Sequence, residues 1–531
     1  MPNMIARSKP YLLLFVFLSH FASPLEAKKT IKVEERDVLQ HLSPLQTLYN
    51  SLDPLSVAQH LAFYELYPET KVGKEALSRA WRLLGKEAVV EPELTTQIPR
   101  LDIQAVISLI TRQSFDPPVK LSEEQCALIE KIAKPLGNRK LEGFHAATKE
   151  AVLKLLPEEI DIARGLLLFQ FDESLNSQEE IAQYEASIDL MALQIAARLS
   201  EGASDEDKIK EINRFIFQEM QFRFPPHSLY ANDIDLYTFL PSVLDSRQGV
   251  CLGVSILYLA IAQRLNLPLE IITPPGHIYV RYNNGQKMIN IETTARGIDL
   301  PTESYLGINT RKLIPRNQKE VIGMAFMNQA AAFWSKQDYE KTVVLYEKAA
   351  LFLSHDPLLK MFRGLNYLFV GRNSDGAALL REIRYHTFEE AVSPETIPDD
   401  YLSGKIDADG IKAVFLSVDE TRESIVKKQK ELEKIVKRYP QYRAGLLHLA
   451  TTWLQLGRTS EALGVLERYH KVDPHNATVE YYLTLLSIER LHYNQAWSYL
   501  DHTESLVKAR GHHPRALRSI RESLRRISPA P

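Results

Sequence analysis

Residues 247–294, RQGVCLGVSILYLAIAQRLNLPLEIITPPGHIYVRYNNGQKMINIETT, constrain the fold more than any other stretch. From Cys251 to Leu265 the residues are apolar nearly all round a helical wheel, so a helix here has to be enclosed by other protein. Gly249 permits a tight turn just before it, and Asn266 and Pro268 mark its end. The β-branched run LEIIT follows, then a Pro-Pro-Gly turn, then the alternating run HIYVRY and an Asn284-Gly285 pair. Asn-Gly between alternating runs is a strong short-range hairpin signal. The segment therefore reads as a buried helix packed on a small antiparallel sheet.

Three residues with chemistry sit on this framework in a fixed order. Cys251 falls in the first turn of the helix, where open backbone N–H groups and the positive dipole end favour a thiolate and can receive an oxyanion. His277 opens the second strand, and Glu292 lies on the third. With Asn284 and Gly285 as the central turn residues, Asn283 faces Gln286, and counting back sets His277 directly opposite Glu292. A thiol, an imidazole and an acid that orients the imidazole are the parts of a nucleophilic acyl-transfer site. Each residue alone has a plainer reading: packing for Cys251, and polar strand surface for His277 and Glu292.

The rest of the chain bounds this chemistry. At 531 residues it holds more than one domain. A net charge of -3 excludes a whole-protein field that would steer it to nucleic acid. Cys126 and Cys251 are the only cysteines, too few for a disulfide framework or a four-thiolate zinc site. There is no P-loop, no GxGxxG after a strand and no HExxH, so no cofactor or metal is expected. Asp407-Ala408-Asp409-Gly410 resembles the start of a calcium loop, but Lys405 and Leu416 stand where that loop needs carboxylates. Arg7 and Lys9 precede an apolar run from Tyr11 to Leu18, and Ala27 follows a polar stretch, which reads as a secretory signal peptide over residues 1–27. The expected location is the periplasm or the exterior, an oxidising setting in which Cys126 and Cys251 could pair.

Residues 28–150 read as an α-helical N-terminal region and 151–318 as the domain that holds the central stretch. Residues 319–531 repeat with a 34-residue period: Ala496 falls 34 residues after Ala462, and Gly364, Gly371 and Gly457 take small-residue positions. Four helix-pair units are expected, two on each side of an insertion near 391–440. The last 24 residues carry Lys508 and six arginines against Glu522. They read as the solvated face of a capping helix, with contact to an anionic membrane as the lesser alternative.

The segments INRFIFQEM, FLPSVLDSRQG, CLGVSILYLAIAQRLNLPLEI, PGHIYVRY and NIETT, in that order, resemble the transglutaminase-like superfamily, relatives of papain-type cysteine peptidases. The closer resemblance is to a bacterial SirB-type branch with C-terminal tetratricopeptide repeats. It implies a predominantly α, α+β fold in which a cysteine-bearing helix packs on a small antiparallel sheet, followed by an α-helical repeat solenoid. It implies Cys251 as nucleophile, His277 as base and Glu292 as the acid. Enzymes of this type commonly carry Asp at the third position, one methylene shorter than Glu292. Many members of the branch have lost the cysteine, which this chain keeps. Two functions remain open: a cysteine-dependent peptidase, amidase or transglutaminase whose repeat groove recruits a protein or peptide, and a non-catalytic scaffold that reuses the fold for binding.

Overall fold

The computed structural model describes residues 43–84, 120–171, 174–225, 237–419 and 421–529. The signal-peptide segment and part of the 28–150 region lie outside the described residues. The chain divides into two units, residues 1–50 and 51–531. In the first, the described residues carry the helix Pro44–Asn50. All that follows concerns the second. Among the described residues no helix is long and apolar enough to cross a membrane.

The helix Cys251–Arg264 is the centre of the second unit. Every one of its residues is buried except Cys251 at its start and Gln263 near its end. Gln263 is half-buried because it joins two helices: its Oε1 accepts from Ile162 N and its Nε2 donates to Ile160 O. This seats the helix Ile162–Gln170 against the cysteine helix. The long helix Ser177–Arg198 packs on the same body, with Ile188, Ala192 and Ile195 fully buried. Asp189 of that helix holds Arg264, fully buried at the far end of the cysteine helix, with Nε to Oδ1 at 2.5 Å.

Four short antiparallel strands complete the domain: β1 Glu270–Ile272, β2 Tyr279–Asn283, β3 Met288–Ile291 and β4 Pro315–Arg316, in the order β3-β2-β1-β4. The predominantly helical α+β fold expected from the sequence is what the chain adopts.

The hairpin register differs from the expected one. Asn283 pairs with Met288, not Gln286, and Val280 pairs with Ile291. The turn is centred on Gly285 and Gln286, and Gly285 alone takes positive φ there. Asn284 stays out of the left-handed region because its side chain closes the turn: Oδ1 accepts from Gln286 N at 3.0 Å and Lys287 N at 2.8 Å. Carried one step past Val280 and Ile291, this register sets Tyr279, not His277, across from Glu292.

The C-terminal half is built of four antiparallel helix pairs. They are Gln318–Ser335 with Tyr339–Ala350, Pro357–Phe369 with Asn373–Glu382, Arg443–Gln455 with Thr459–Val472, and Ala477–Glu489 with Tyr493–Ala509. Arg443 to Ala477 and Thr459 to Tyr493 each span 34 residues, so the last two pairs repeat in register. Ala462 and Ala496 are fully buried, as helix pairs in close approach require. The insertion holds Ile397–Leu402, Ala408–Val414 and Arg422–Arg438. Asp407 caps the second of these through Gly410 N, which is why an acidic turn occurs there. The helix Arg515–Ile527 closes the array with Leu517, Ile520 and Leu524 buried. Its Arg521 lies over the Trp497 ring and pairs with Asp501 and Glu504.

The turns inside the four pairs share one backbone conformation. Gln337, Gly371, Gly457 and Leu491 all have positive φ. Two of the four therefore hold a side chain where glycine is strain-free, and Leu491 is also 68% exposed. Leu491→Gly is expected to raise stability by up to about 1 kcal/mol, read as a higher denaturant midpoint at unchanged slope. A lower midpoint would show that this turn carries no strain.

The repeats and the sheet domain share one core. Phe169, from the helix Ile162–Gln170 that packs on the cysteine helix, lies 4.9 Å from Phe352 and 6.1 Å from Phe326, centroid to centroid. Gly165 faces Ile322 closely enough that a Cβ would collide with it. The first repeat helix is thus packed directly against the domain that carries Cys251.

Candidate active site

The approach to Cys251 is pinned from both sides. Arg247 ends the helix Leu240–Ser246 in the left-handed conformation, and its buried side chain donates to Met220 O. Arg223 N donates to Arg247 O and Gly249 N to Arg223 O. Val250 then starts the cysteine helix without a side-chain cap, so no side chain competes for the N–H groups of its first turn. Gly253 has no room for a Cβ, which would run into Tyr237 O, so the 237–238 segment lies flat against this turn.

Glu292 is tied to the same turn through its neighbour. Thr293 Oγ1 lies 3.1 Å from Ser255 Oγ and donates to Cys251 O at 3.4 Å. Ser255 and Thr293 are both buried. The end of β3 is thereby held against the start of the cysteine helix.

The structure brings the three expected residues together. His277 Nε2 lies 2.6 Å from Glu292 Oε2, and Cys251 is close enough to the ring to raise its pKa. Nδ1 is the ring nitrogen left for the sulfur. Neither His277 nor Glu292 is on a strand as expected: His277 lies two residues before β2 and Glu292 just past the end of β3, and the two meet beyond the end of the ladder. Cys126, on the helix Glu123–Ala133, is not part of the site, and neither cysteine is in a disulfide. Among the described residues no group of His, Cys, Asp and Glu is arranged to hold a metal ion.

Two further residues complete the acid's surroundings. Thr294 donates to Glu292 Oε1 from its backbone N at 3.2 Å and from Oγ1 at 2.6 Å. Tyr305 Oη donates to Glu292 Oε2 at 2.7 Å, and its ring stacks on His277 at 5.9 Å and on Tyr279 at 4.5 Å. The Glu-Thr-Thr sequence hints at the first contact, since Thr two residues after an acid closes a short turn. Nothing local points to Tyr305.

These contacts set the charges. Burial pulls the His277 pKa down, but its interactions with Cys251 and Glu292 prevail and push it up to about 10. Burial raises Glu292, and hydrogen bonds from His277, Thr294 and Tyr305 outweigh it and hold the carboxyl below its usual range. Burial and the bond to Glu292 push Tyr305 far up, so it remains a donor. Burial, with Glu179 and Glu123 nearby, pushes the Cys126 thiol up to about 11. The pair beside Cys251 is an imidazolium and a carboxylate, whereas Cys126 stays a neutral thiol.

Residues 182–317 match the family model for the transglutaminase-like superfamily. This stretch is a transglutaminase-like domain. It contains Cys251, His277, Glu292, Thr294 and Tyr305 together with all four strands. Two curated relatives, both called UPF0162 protein and both from Xylella fastidiosa (strains 9a5c and Temecula1 / ATCC 700964), are 22% identical over 184 residues. Each match covers 32% of this chain and 63% of the relative, so the chain spans somewhat less than two thirds of their length. Among solved structures, TTC0263, a thermophilic TPR protein of Thermus thermophilus, is 14% identical, with 38% of this chain and 98% of that chain covered and a TM-score of 0.21. MamA is 11% identical, with 34% and 96% covered and a TM-score of 0.19. Outside the transglutaminase-like domain, the 34-residue spacing of the helix pairs themselves marks the repeats as tetratricopeptide-like.

Proposed function

We propose that the protein is an exported, cysteine-dependent acyl-transfer enzyme of peptidase, amidase or transglutaminase type. The observation that carries this reading is the His277 ring, hydrogen-bonded to Glu292 at 2.6 Å and lying beside Cys251 at the start of its helix. Cys251 Sγ attacks an amide carbonyl, and the N–H groups of the first helical turn receive the developing oxyanion. His277 holds the proton beside the sulfur and delivers it to the leaving amine, while Glu292 keeps the ring oriented and supports its positive charge. The resulting thioester is resolved by water or by a second amine.

Export rests on the Arg7/Lys9, Tyr11–Leu18 and Ala27 pattern. Paired-helix arrays generally present a concave face to peptides, and we assign to this one the docking of a protein or peptide partner.

The reading is tested by a thiol-directed electrophile such as iodoacetamide, with the modified residue located by peptide mass mapping. Cys251 is expected to be alkylated well before Cys126 in the folded protein. Equal rates at the two thiols would return the protein to the scaffold reading, in which the fold serves binding alone.

A further inference from the structure

We infer that Tyr305 is a positioning residue for the His277–Glu292 pair, and that the repeat domain holds Tyr305 in place. This rests on the acyl-transfer reading above and adds to it a dependence of the site on the far end of the chain.

Tyr305 controls two degrees of freedom at once. Its hydroxyl meets Glu292 Oε2, the same oxygen that meets His277 Nε2, so it restrains rotation of the carboxylate. Its ring lies nearly parallel to the imidazole, 13° between planes, so it restrains tilt of the base. Both effects require the Tyr305 backbone to be fixed.

The segment that carries Tyr305, residues 301–314, has no strand ladder of its own before β4. Its two ends are tied to the sheet, through Arg281 and Asn290 to Thr302 Oγ1 and through Thr273 to Ile314 O, and its middle is held from the repeat side. Gly307 O, two residues after Tyr305, lies 2.7 Å from His512 Nε2, a contact between residues 205 apart in sequence. Asn309 O accepts from Val392 N at 2.9 Å, and Asn309 Oδ1 accepts from Val392 N and Ser393 N. Arg311 N donates to Glu390 O at 2.8 Å, and its guanidinium donates to Glu389 O and Arg510 O. Arg510 donates in turn to Phe388 O and Ala391 O. Ser393 Oγ accepts from Ala477 N, the first residue of the last helix pair. The insertion and the turn after Tyr493–Ala509 thus grip residues 307–311 from two sides. This arrangement makes the repeats part of the machinery that sets the imidazole, beyond any role in recruiting a partner.

The test is the pH profile of Cys251 alkylation by iodoacetamide in the full-length protein, with His277→Ala as reference. Tyr305→Phe deletes one hydrogen bond to Glu292 and keeps the ring. The acid limb of the profile is expected to move up by about 0.5–1 pH unit, as the carboxylate loses one stabilising donor. His512→Ala is expected to move it in the same direction without altering Cys126 labelling. His512→Gln, which keeps an N–H for Gly307 O, should restore it. Asn309→Ala, at a separate anchor, should reproduce the shift, and it stands in if His512→Ala fails to fold. If His277→Ala slows labelling but the Tyr305, His512 and Asn309 profiles overlay the parent, the inference is overturned and the acyl-transfer reading stands. If His277→Ala has no effect, that reading itself fails.

Discussion

Replacing His277 by Ala is expected to slow alkylation of Cys251 by about tenfold or more at pH 5.5, with a smaller difference at pH 8. The argument runs through the charge on the imidazole. With its pKa pushed up to about 10, the ring is protonated across this whole range and lies beside the sulfur. A protonated imidazole beside a thiol favours the thiolate. An unassisted thiol, with a pKa near 8.5, is a few per cent thiolate at pH 7 and only about 0.1% at pH 5.5. The population gain from the partner is therefore largest in acid. It is partly offset, since a less basic sulfur is a weaker nucleophile, by roughly half of the shift in logarithmic terms. The net advantage survives at pH 5.5 and shrinks as pH rises. Cys126 serves as the internal control, because burial keeps it a neutral thiol and His277 is not among its neighbours. Parent and variant profiles that coincide from pH 5 to 8 would remove His277 from the chemistry. The same charges give a stability window. His277 is raised, so its contribution is full below its unfolded pKa near 6.5 and is lost as pH climbs toward 10. Glu292 is depressed, so its contribution is full above about 4.3 and is lost as pH falls below that. His277→Ala should flatten the alkaline side of the stability profile.

Some of this site was legible in the chain, and some was legible for the wrong reason. An apolar run too uniform for any surface helix announced the buried cysteine helix, and its start at Cys251 followed from Gly249 and the turn before it. The meeting of His277 and Glu292 was expected from direct opposition across an Asn-Gly turn. The hairpin instead turns on Gly285 and Gln286, because the Asn284 side chain closes the turn and leaves one residue to take positive φ. The two side chains still meet, because His277 just before β2 and Glu292 just after β3 converge beyond the end of the ladder. Tyr305 was invisible because it meets Glu292 from a segment outside the strands whose neighbour Gly307 is held by a residue 205 places away, and no local pattern encodes such contacts. The strained turns at Gln337 and Leu491 were hidden for the opposite reason. Their equivalents Gly371 and Gly457 advertise a left-handed backbone, while a glutamine and a leucine do not.

Asp189→Asn is expected to cost about 3–5 kcal/mol of stability, more than any other single substitution predicted for this chain. Asp189 is 2% exposed and receives two arginines: Arg264 at Oδ1, 2.5 Å, and Arg139 at both oxygens. Arg139 sits at the edge and can turn to water. Arg264 cannot, since it is fully buried at the end of the cysteine helix. Its remaining bond is from Nη1 to Ala260 O in its own helix, and its Nη2 has no partner. A neutral amide at 189 leaves that guanidinium charge with Asp161 and Glu185 as more distant compensation. The pair itself contributes little net stability, because desolvating both ions consumes most of their attraction. The prediction is accordingly asymmetric. Asp189→Leu combined with Arg264→Met should recover most of what either single change loses, because the double variant buries no charge. A double-mutant cycle in urea measures the coupling directly. Additive losses would show that Arg264 finds another route to solvent. Because Arg264 and Cys251 are opposite ends of one helix, the single variant should lower Cys251 labelling selectivity over Cys126 only as the folded fraction falls. Selectivity lost while the protein is still fully folded would mean that this ion pair sets the helix position, and with it the distance from sulfur to imidazole.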